Sequence, residues 1–213
     1  MKNKIFVGEF IGSALLVMAI VGSGIMAESL TNDTAVMLLA NAVATGAALY
    51  FLIVSISDIS GAHFNPFVTL AMYLSKKIKS QLLPVYFTAQ ILGCLTGVML
   101  ANFFFDYSLI ELSSKSRSGI NVFVSEIIAT FGLIFIIFRT IKGGKVLVAT
   151  SVATFITAGY WFTSSTSFAN PAVTLSRTFT DTFTGISPES IIYFFSGQLI
   201  GLFIALFTYK FLK

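Results

Sequence analysis

The chain has 213 residues, of which 56% are hydrophobic and 10% charged, with a formal net charge of +4. A water-soluble domain carries about 25% charged residues, so a soluble globular fold is excluded and one membrane-embedded domain is expected over 1–213. The basic excess forms no single patch, which argues against a nucleic-acid partner and for sorting by membrane side.

Crossing a hydrocarbon core about 30 Å thick takes roughly 20 apolar residues per helix. Such runs predict six spans, at 5–27, 34–56, 81–105, 119–139, 145–163 and 189–211. The first follows Lys2 and Lys4, but its apolar stretch is too long for a signal peptide and a second span comes almost at once, so it is expected to stay uncleaved. Cys94 is the sole cysteine and falls in the third span, which rules out an intrachain disulfide.

In a six-span topology ten basic residues share one side: Lys2, Lys4, Lys76, Lys77, Lys79, Arg139, Lys142, Lys145, Lys210 and Lys213. The opposite loops hold Lys115, Arg117 and Arg177 against Glu28, Asp33, Asp106, Glu111, Asp181 and Glu189. The positive-inside rule then puts both termini in the cytoplasm of a multi-pass protein of the plasma or inner membrane.

The chain also repeats itself. Asn65-Pro66-Phe67-Val68-Thr69-Leu70 returns as Asn170-Pro171-Ala172-Val173-Thr174-Leu175, Glu9 is echoed by Glu126, and the stretch at 89–93 by that at 197–201. The halves run over about 1–108 and 119–213, each with three spans. An odd number forces the second half to enter from the opposite face, an inverted repeat that places its site near the midplane.

Each Asn-Pro follows a polar stretch, 55–63 or 163–169, and opens a short apolar segment, 67–74 or 173–179. About ten helical residues reach roughly 15 Å, half the core, so two half-helices entering from opposite faces are expected to meet. Irregular backbone at that depth is tolerated only where it is buried or lines a wet cavity. Proline suits the first helical turn and asparagine the N-cap. Capping through the Asn65 and Asn170 oxygens leaves their amide groups as donors toward the lumen. The two positive helix ends directed at one point raise the barrier to cations and protons.

With Gly61-Ala62-His63-Phe64-Asn65-Pro66 and Phe168-Ala169-Asn170-Pro171-Ala172-Val173 in place, the sequence resembles the major intrinsic protein family of aquaporins and glycerol facilitators over essentially its whole length. The resemblance implies an all-α membrane protein, a right-handed bundle of six transmembrane helices plus two re-entrant half-helices. It also implies a homotetramer with one pore per subunit, no cofactor, and passage of small neutral solutes. It carries a central constriction onto Asn65, Pro66, Phe67, Asn170, Pro171 and Ala172. Pore-lining carbonyls fall on Gly61, Ala62, His63, Thr166, Ser167 and Phe168, and loop-bracing carboxylates on Glu9 and Glu126. For those carboxylates a proton relay is the rival role.

The sequence departs from the family pattern at two motif positions. Val173 stands where an arginine usually follows Asn-Pro-Ala, which widens the selectivity filter, makes it more apolar and removes a cation. Phe67 replaces an alanine and adds bulk beside the constriction. Thr45 and Ser167 take two further filter positions. The fourth is Ala158 by ungapped counting or Tyr160 if Gly159-Tyr160 aligns with the family's Gly-His pair. Arg177, one turn beyond Val173, either restores positive charge in the vestibule or pairs with Asp181 at the surface. Such a filter suits polyols or neutral metalloid hydroxides such as arsenous acid, and the stretch from Tyr160 to Thr174 is similar to a bacterial subgroup associated with arsenic handling.

The rival from another class is a secondary active transporter, but apart from Glu9, Glu126 and Asp58 the membrane region has no acidic residue to bind a coupling ion. His63 has no second histidine with which to build a metal or catalytic centre, and the serines of 163–167 have no base at a recognisable spacing. No metal site and no enzyme activity are expected.

Overall fold

The computed structural model describes residues 1–212; Lys213, counted above among the basic residues of one side, lies outside them. Eight α-helices follow in chain order: α1 (Lys2–Leu30), α2 (Thr34–Ser60), α3 (Pro66–Leu74), α4 (Leu83–Phe104), α5 (Ile120–Thr140), α6 (Lys145–Phe162), α7 (Pro171–Ser176) and α8 (Ile191–Phe211). Among the described residues six are long and apolar enough to cross a membrane, and α3 and α7 are the short ones. Each half has the same order of two long helices, a half-helix and a third long helix. Large apolar side chains such as Val7, Val43, Phe51, Phe103, Ile128 and Phe203 are exposed around the bundle, where lipid is their solvent.

Local chemistry sets the helix ends. Asp33 caps α2 by accepting from the Ala35 and Val36 N–H groups at 2.8 and 3.3 Å, and α2 stops at Gly61, whose φ of 95° only glycine adopts at no steric cost. The polar stretch expected from residue 55 is in fact helical to Ser60. Ser57 donates its hydroxyl to its own helix at the Ile53 carbonyl and Ser60 donates to Glu9 at 2.6 Å, so these side chains are satisfied without breaking the helix. The first re-entrant loop is therefore only 61–65, whereas the second keeps the length of 163–170.

Glycines bring the helices together. A Cβ on Gly93 or Gly97 would lie 2.5 or 2.4 Å from the Phe10 or Ala14 carbonyl oxygen of α1. In the second half, a Cβ on Gly197 or Gly201 would lie 2.5 Å from the Phe123 or Ile127 oxygen of α5. The α1–α4 and α5–α8 crossings are thus one solution used twice, backbone against backbone, as expected where the apolar effect cannot drive helices together in lipid. The half-helices α3 and α7 both pack against α4 and α8 and meet each other inside this frame.

Gly93→Val sets a branched side chain against main-chain atoms and is expected to cost about 2 kcal/mol or more, read as a lower melting temperature and loss of monodisperse protein in detergent. Gly22→Ala, where a new Cβ meets only the Phe105 ring at 3.5 Å, should leave both unchanged.

Candidate functional site

Each half-helix begins at its asparagine. The Asn65 Oδ1 accepts from the Phe67 and Val68 N–H groups at 2.8 and 3.4 Å, and the Asn170 Oδ1 from Ala172 and Val173 at 3.0 and 3.3 Å. The amide groups link the halves: Asn65 Nδ2 donates to the Ala169 carbonyl at 2.7 Å and Asn170 Nδ2 to the Phe64 carbonyl at 2.8 Å. A primary amide has two N–H bonds, and one from each asparagine ties the two loops together.

The loop backbones are held from behind by two buried carboxylates. Glu9 accepts from the Ser60 hydroxyl at 2.6 Å, the His63 and Phe64 N–H groups at 3.0 and 2.7 Å and the Gln90 amide at 2.7 Å. Glu126 accepts from the Phe168 and Ala169 N–H groups at 3.0 and 2.9 Å and the Gln198 amide at 2.6 Å. The same glutamines each reach a threonine at 2.9 Å, Gln90 to Thr69 and Gln198 to Thr174. Those threonine hydroxyls donate to the carbonyls of Asn65 and Asn170. With these donors in place, both carboxylates are committed to bracing the loops.

Held this way, the loops adopt backbone that other L-residues avoid. Gly61, Ala62 and Phe64 have positive φ, and so do Thr166, Ser167 and Ala169, the positions reached by adding the 105 residues that separate Asn65 from Asn170. Left-handed conformations at non-glycine residues cost about 1 kcal/mol or more each and persist only where surroundings over-determine them. Among the described residues the carbonyls of Gly61, Ala62, His63, Thr166, Ser167 and Phe168 accept no hydrogen bond, and all six residues line one cavity.

That cavity, about 570 Å³, extends from Arg177, Thr45 and Tyr160 past Asn65 and Asn170 to Lys77, Ile141 and Lys145. A cavity of this size has room for several water-sized molecules. Much of its wall is aliphatic: Leu16, Ile20, Leu49, Ile53, Leu133 and Ile156. Lys145, at the end with Lys77, pairs with Asp58.

Tyr160 is buried, lines the cavity and shares a 3.0 Å hydrogen bond with Thr45, whereas Ala158 is exposed on the outer side of α6. Val173 lines the cavity too. Ser167 turns its hydroxyl away: the Oγ is fully buried without a partner and lies 2.6 Å from where a Gly159 Cβ would be. The bulk of Phe67 also lies elsewhere. At about 100° of rotation per residue, α3 presents Asn65 and Val68 to the cavity while the half-buried Phe67 packs against the core. Pro66, Pro171 and Ala172 are buried away from the cavity wall.

His63 lines the cavity, places Nδ1 3.0 Å from the Thr69 hydroxyl and stacks on Tyr86 at 4.7 Å. No group of three or more metal-ligating side chains surrounds it among the described residues. Arg177 is 3% exposed and does not pair with Asp181. Asp181 accepts instead from Ser113 and Ser114, and the Ser114 N–H, ahead of the serine hydroxyls, holds it below the usual carboxylate range.

The family profile described as Major intrinsic protein matches residues 2–157. The chain belongs to the major intrinsic protein family. "Aquaglyceroporin AqpS" of Rhizobium meliloti (strain 1021) is 46% identical over 200 residues, covering 94% of this chain and 86% of that protein. "Probable aquaporin TIP-type" of Antirrhinum majus is 31% identical over 215 residues, 97% of this chain and 86% of the relative. Among solved structures, the aquaglyceroporin from Plasmodium falciparum superposes with a TM-score of 0.78 at 22% identity, over 99% of this chain and 95% of that one. An FNT family ion channel superposes at 0.65 with 13% identity, over 98% and 90%. At such identities the superpositions speak for the fold, a multi-pass helical membrane bundle.

Glu126→Leu strands the Phe168 and Ala169 N–H groups inside the bundle. At about 1–3 kcal/mol for each buried donor left without a partner, a loss of ~3 kcal/mol is expected, measured as thermal stability in detergent. Glu126→Gln, which keeps one acceptor oxygen, should lose less.

Proposed function

We propose that this protein is a passive transmembrane pore for small uncharged solutes, open to polyols such as glycerol and to neutral metalloid hydroxides such as arsenous acid as well as water. The observation that carries this reading is the continuous cavity with both asparagines in its wall. Donors come from the Asn65 and Asn170 amides and the Thr45 and Tyr160 hydroxyls, and acceptors from the unpaired loop carbonyls. The wall also holds the aliphatic residues and Val173. A solute with hydroxyls on one side and an apolar face on the other exchanges its hydration for this lining at little cost, whereas an ion does not.

In this reading Thr45, Tyr160 and Val173 form the selectivity filter, with Ser167 contributing backbone only. Val173 leaves the filter wider and less polar than an arginine would. The protein works as a homotetramer with one pore per subunit, in a plasma or inner membrane, with both termini in the cytoplasm. The relative "Aquaglyceroporin AqpS" supports the solute class by its name and its 46% identity. No coupling ion is needed, since both buried glutamates are occupied by the loops.

Stopped-flow light scattering on reconstituted vesicles tests this. Rapid glycerol and arsenous acid entry, reduced about tenfold or more by Val173→Arg while water flux falls less, is the expected result. Water-only flux, or entry that requires an ion gradient, would sink the reading.

A further inference from the structure

Arg177 is a buried guanidinium without a counter-ion. It sits just past α7, in the turn Arg177–Phe179, is 3% exposed, and lines the cavity at the end with Thr45 and Tyr160. Among the described residues neither it nor Arg117 joins an ion pair. Burying a charge is costly unless other groups take over its solvation, so the arrangement around Arg177 needs an account.

Two contacts fix the group and a third region is left open. Its Nε donates to the Thr184 carbonyl at 2.5 Å, and its guanidinium carbon lies 3.7 Å above the centre of the Phe168 ring. The terminal nitrogens make no hydrogen bond within the described residues, yet they are not sealed off as buried unpaired atoms. Since the residue lines the cavity, their remaining direction is the lumen.

The segment that presents Arg177 is itself clamped. The Arg177 carbonyl accepts from the Ile186 N–H at 3.2 Å, the Thr178 carbonyl from the Ser113 N–H at 2.9 Å, and Asn102 binds the Phe179 carbonyl and the Thr180 hydroxyl. Arg117 approaches the same Phe168 ring at 5.4 Å and holds Thr166 and the Ser164 carbonyl. Two cations thus flank one aromatic ring at the pore mouth, and the acidic residue nearest to Arg177 in sequence, Asp181, is spent on serines.

We propose that Arg177 is a specificity-determining residue of the pore: its terminal N–H groups donate to acceptor oxygens of the passing solute, and its fixed charge turns small cations away. The proposal rests on the pore reading above. Ring stacking and a planar fork explain why arginine stands here, because a lysine reproduces the charge but neither the stack nor the paired donors.

The test uses the full chain in vesicles, with glycerol and water fluxes by stopped flow and potassium efflux by electrode, after elution profiles show that each variant is folded. The unmodified protein should pass glycerol and retain potassium. Arg177→Met should raise potassium efflux at least tenfold and lower the glycerol-to-water flux ratio several-fold. Adding Val173→Arg to Arg177→Met, which returns a guanidinium one turn earlier, should restore potassium retention.

Arg177→Lys should retain potassium but lower the glycerol-to-water ratio, and it serves as the test if Arg177→Met does not fold. Unchanged efflux and an unchanged ratio in a folded Arg177→Met, or an unchanged ratio in Arg177→Lys, would overturn the proposal and leave the pore standing. Potassium leak through the unmodified protein would overturn it too, whereas absence of glycerol flux in the unmodified protein would remove the pore reading itself.

Discussion

Main-chain polar groups inside a bilayer must find partners within the protein, and in the interior of this bundle two stretches of chain have left the helix that would supply them. Glu9 and Glu126 meet that demand. Each collects two consecutive loop N–H groups, while the carbonyls of Gly61, Ala62, His63, Thr166, Ser167 and Phe168, residues that line the cavity, accept no hydrogen bond among the described residues. The left-handed residues, at matching positions in the two loops, go with this bracing. Glutamine and threonine relay the same support to the first turn of each half-helix. The loops that line the cavity are therefore held by two carboxylates that do not line it themselves.

Close helix packing is what makes this bracing possible. The carboxylates sit on α1 and α5, and the glutamines that finish their coordination sit on α4 and α8, three or one residues from glycines whose missing side chains let the backbones touch. Were the helices at ordinary spacing, a glutamate would not reach the loop and the glutamine together. The reciprocal asparagine links then close the assembly across the pseudo-symmetric centre, tying α3 to the loop before α7 and the reverse.

Much of this was legible in the sequence, for reasons that can be named. The six spans are set by apolar length, and the half-helices by Asn-Pro in duplicate, because capping chemistry is local and survives any tertiary context. Glu9 and Glu126 stood out because charge inside an apolar run demands a partner. What stayed hidden depends on rotation and on distant chain. Whether Tyr160 or Ala158 faces inward is a question of helix phase, and α6 answers it through the bond from Tyr160 to Thr45. The direction of the Ser167 hydroxyl depends on the space above Gly159, and the partners of Arg177 come from a carbonyl seven residues on and an aromatic ring of the re-entrant loop. The polar stretch that begins at residue 55 stays helical to Ser60 because its serine hydroxyls return to the helix and to Glu9, contacts that composition alone does not reveal.

Phe64 carries a final consequence. Its ring occupies the space above Gly12, where a Cβ would come within 1.9 Å of it. The matching positions in the other half are Ala169 and Ala129, found by the offsets that relate Asn65 to Asn170 and Glu9 to Glu126. The first half thus sets a large ring over a bare backbone, whereas the second has alanine at both positions. They are no longer interchangeable parts. A chain built from two copies of either half would bring its own partner set, but moving Phe64 or Gly12 alone across the pseudo-symmetry leaves a clash or a hole, so these two residues are free to change only together.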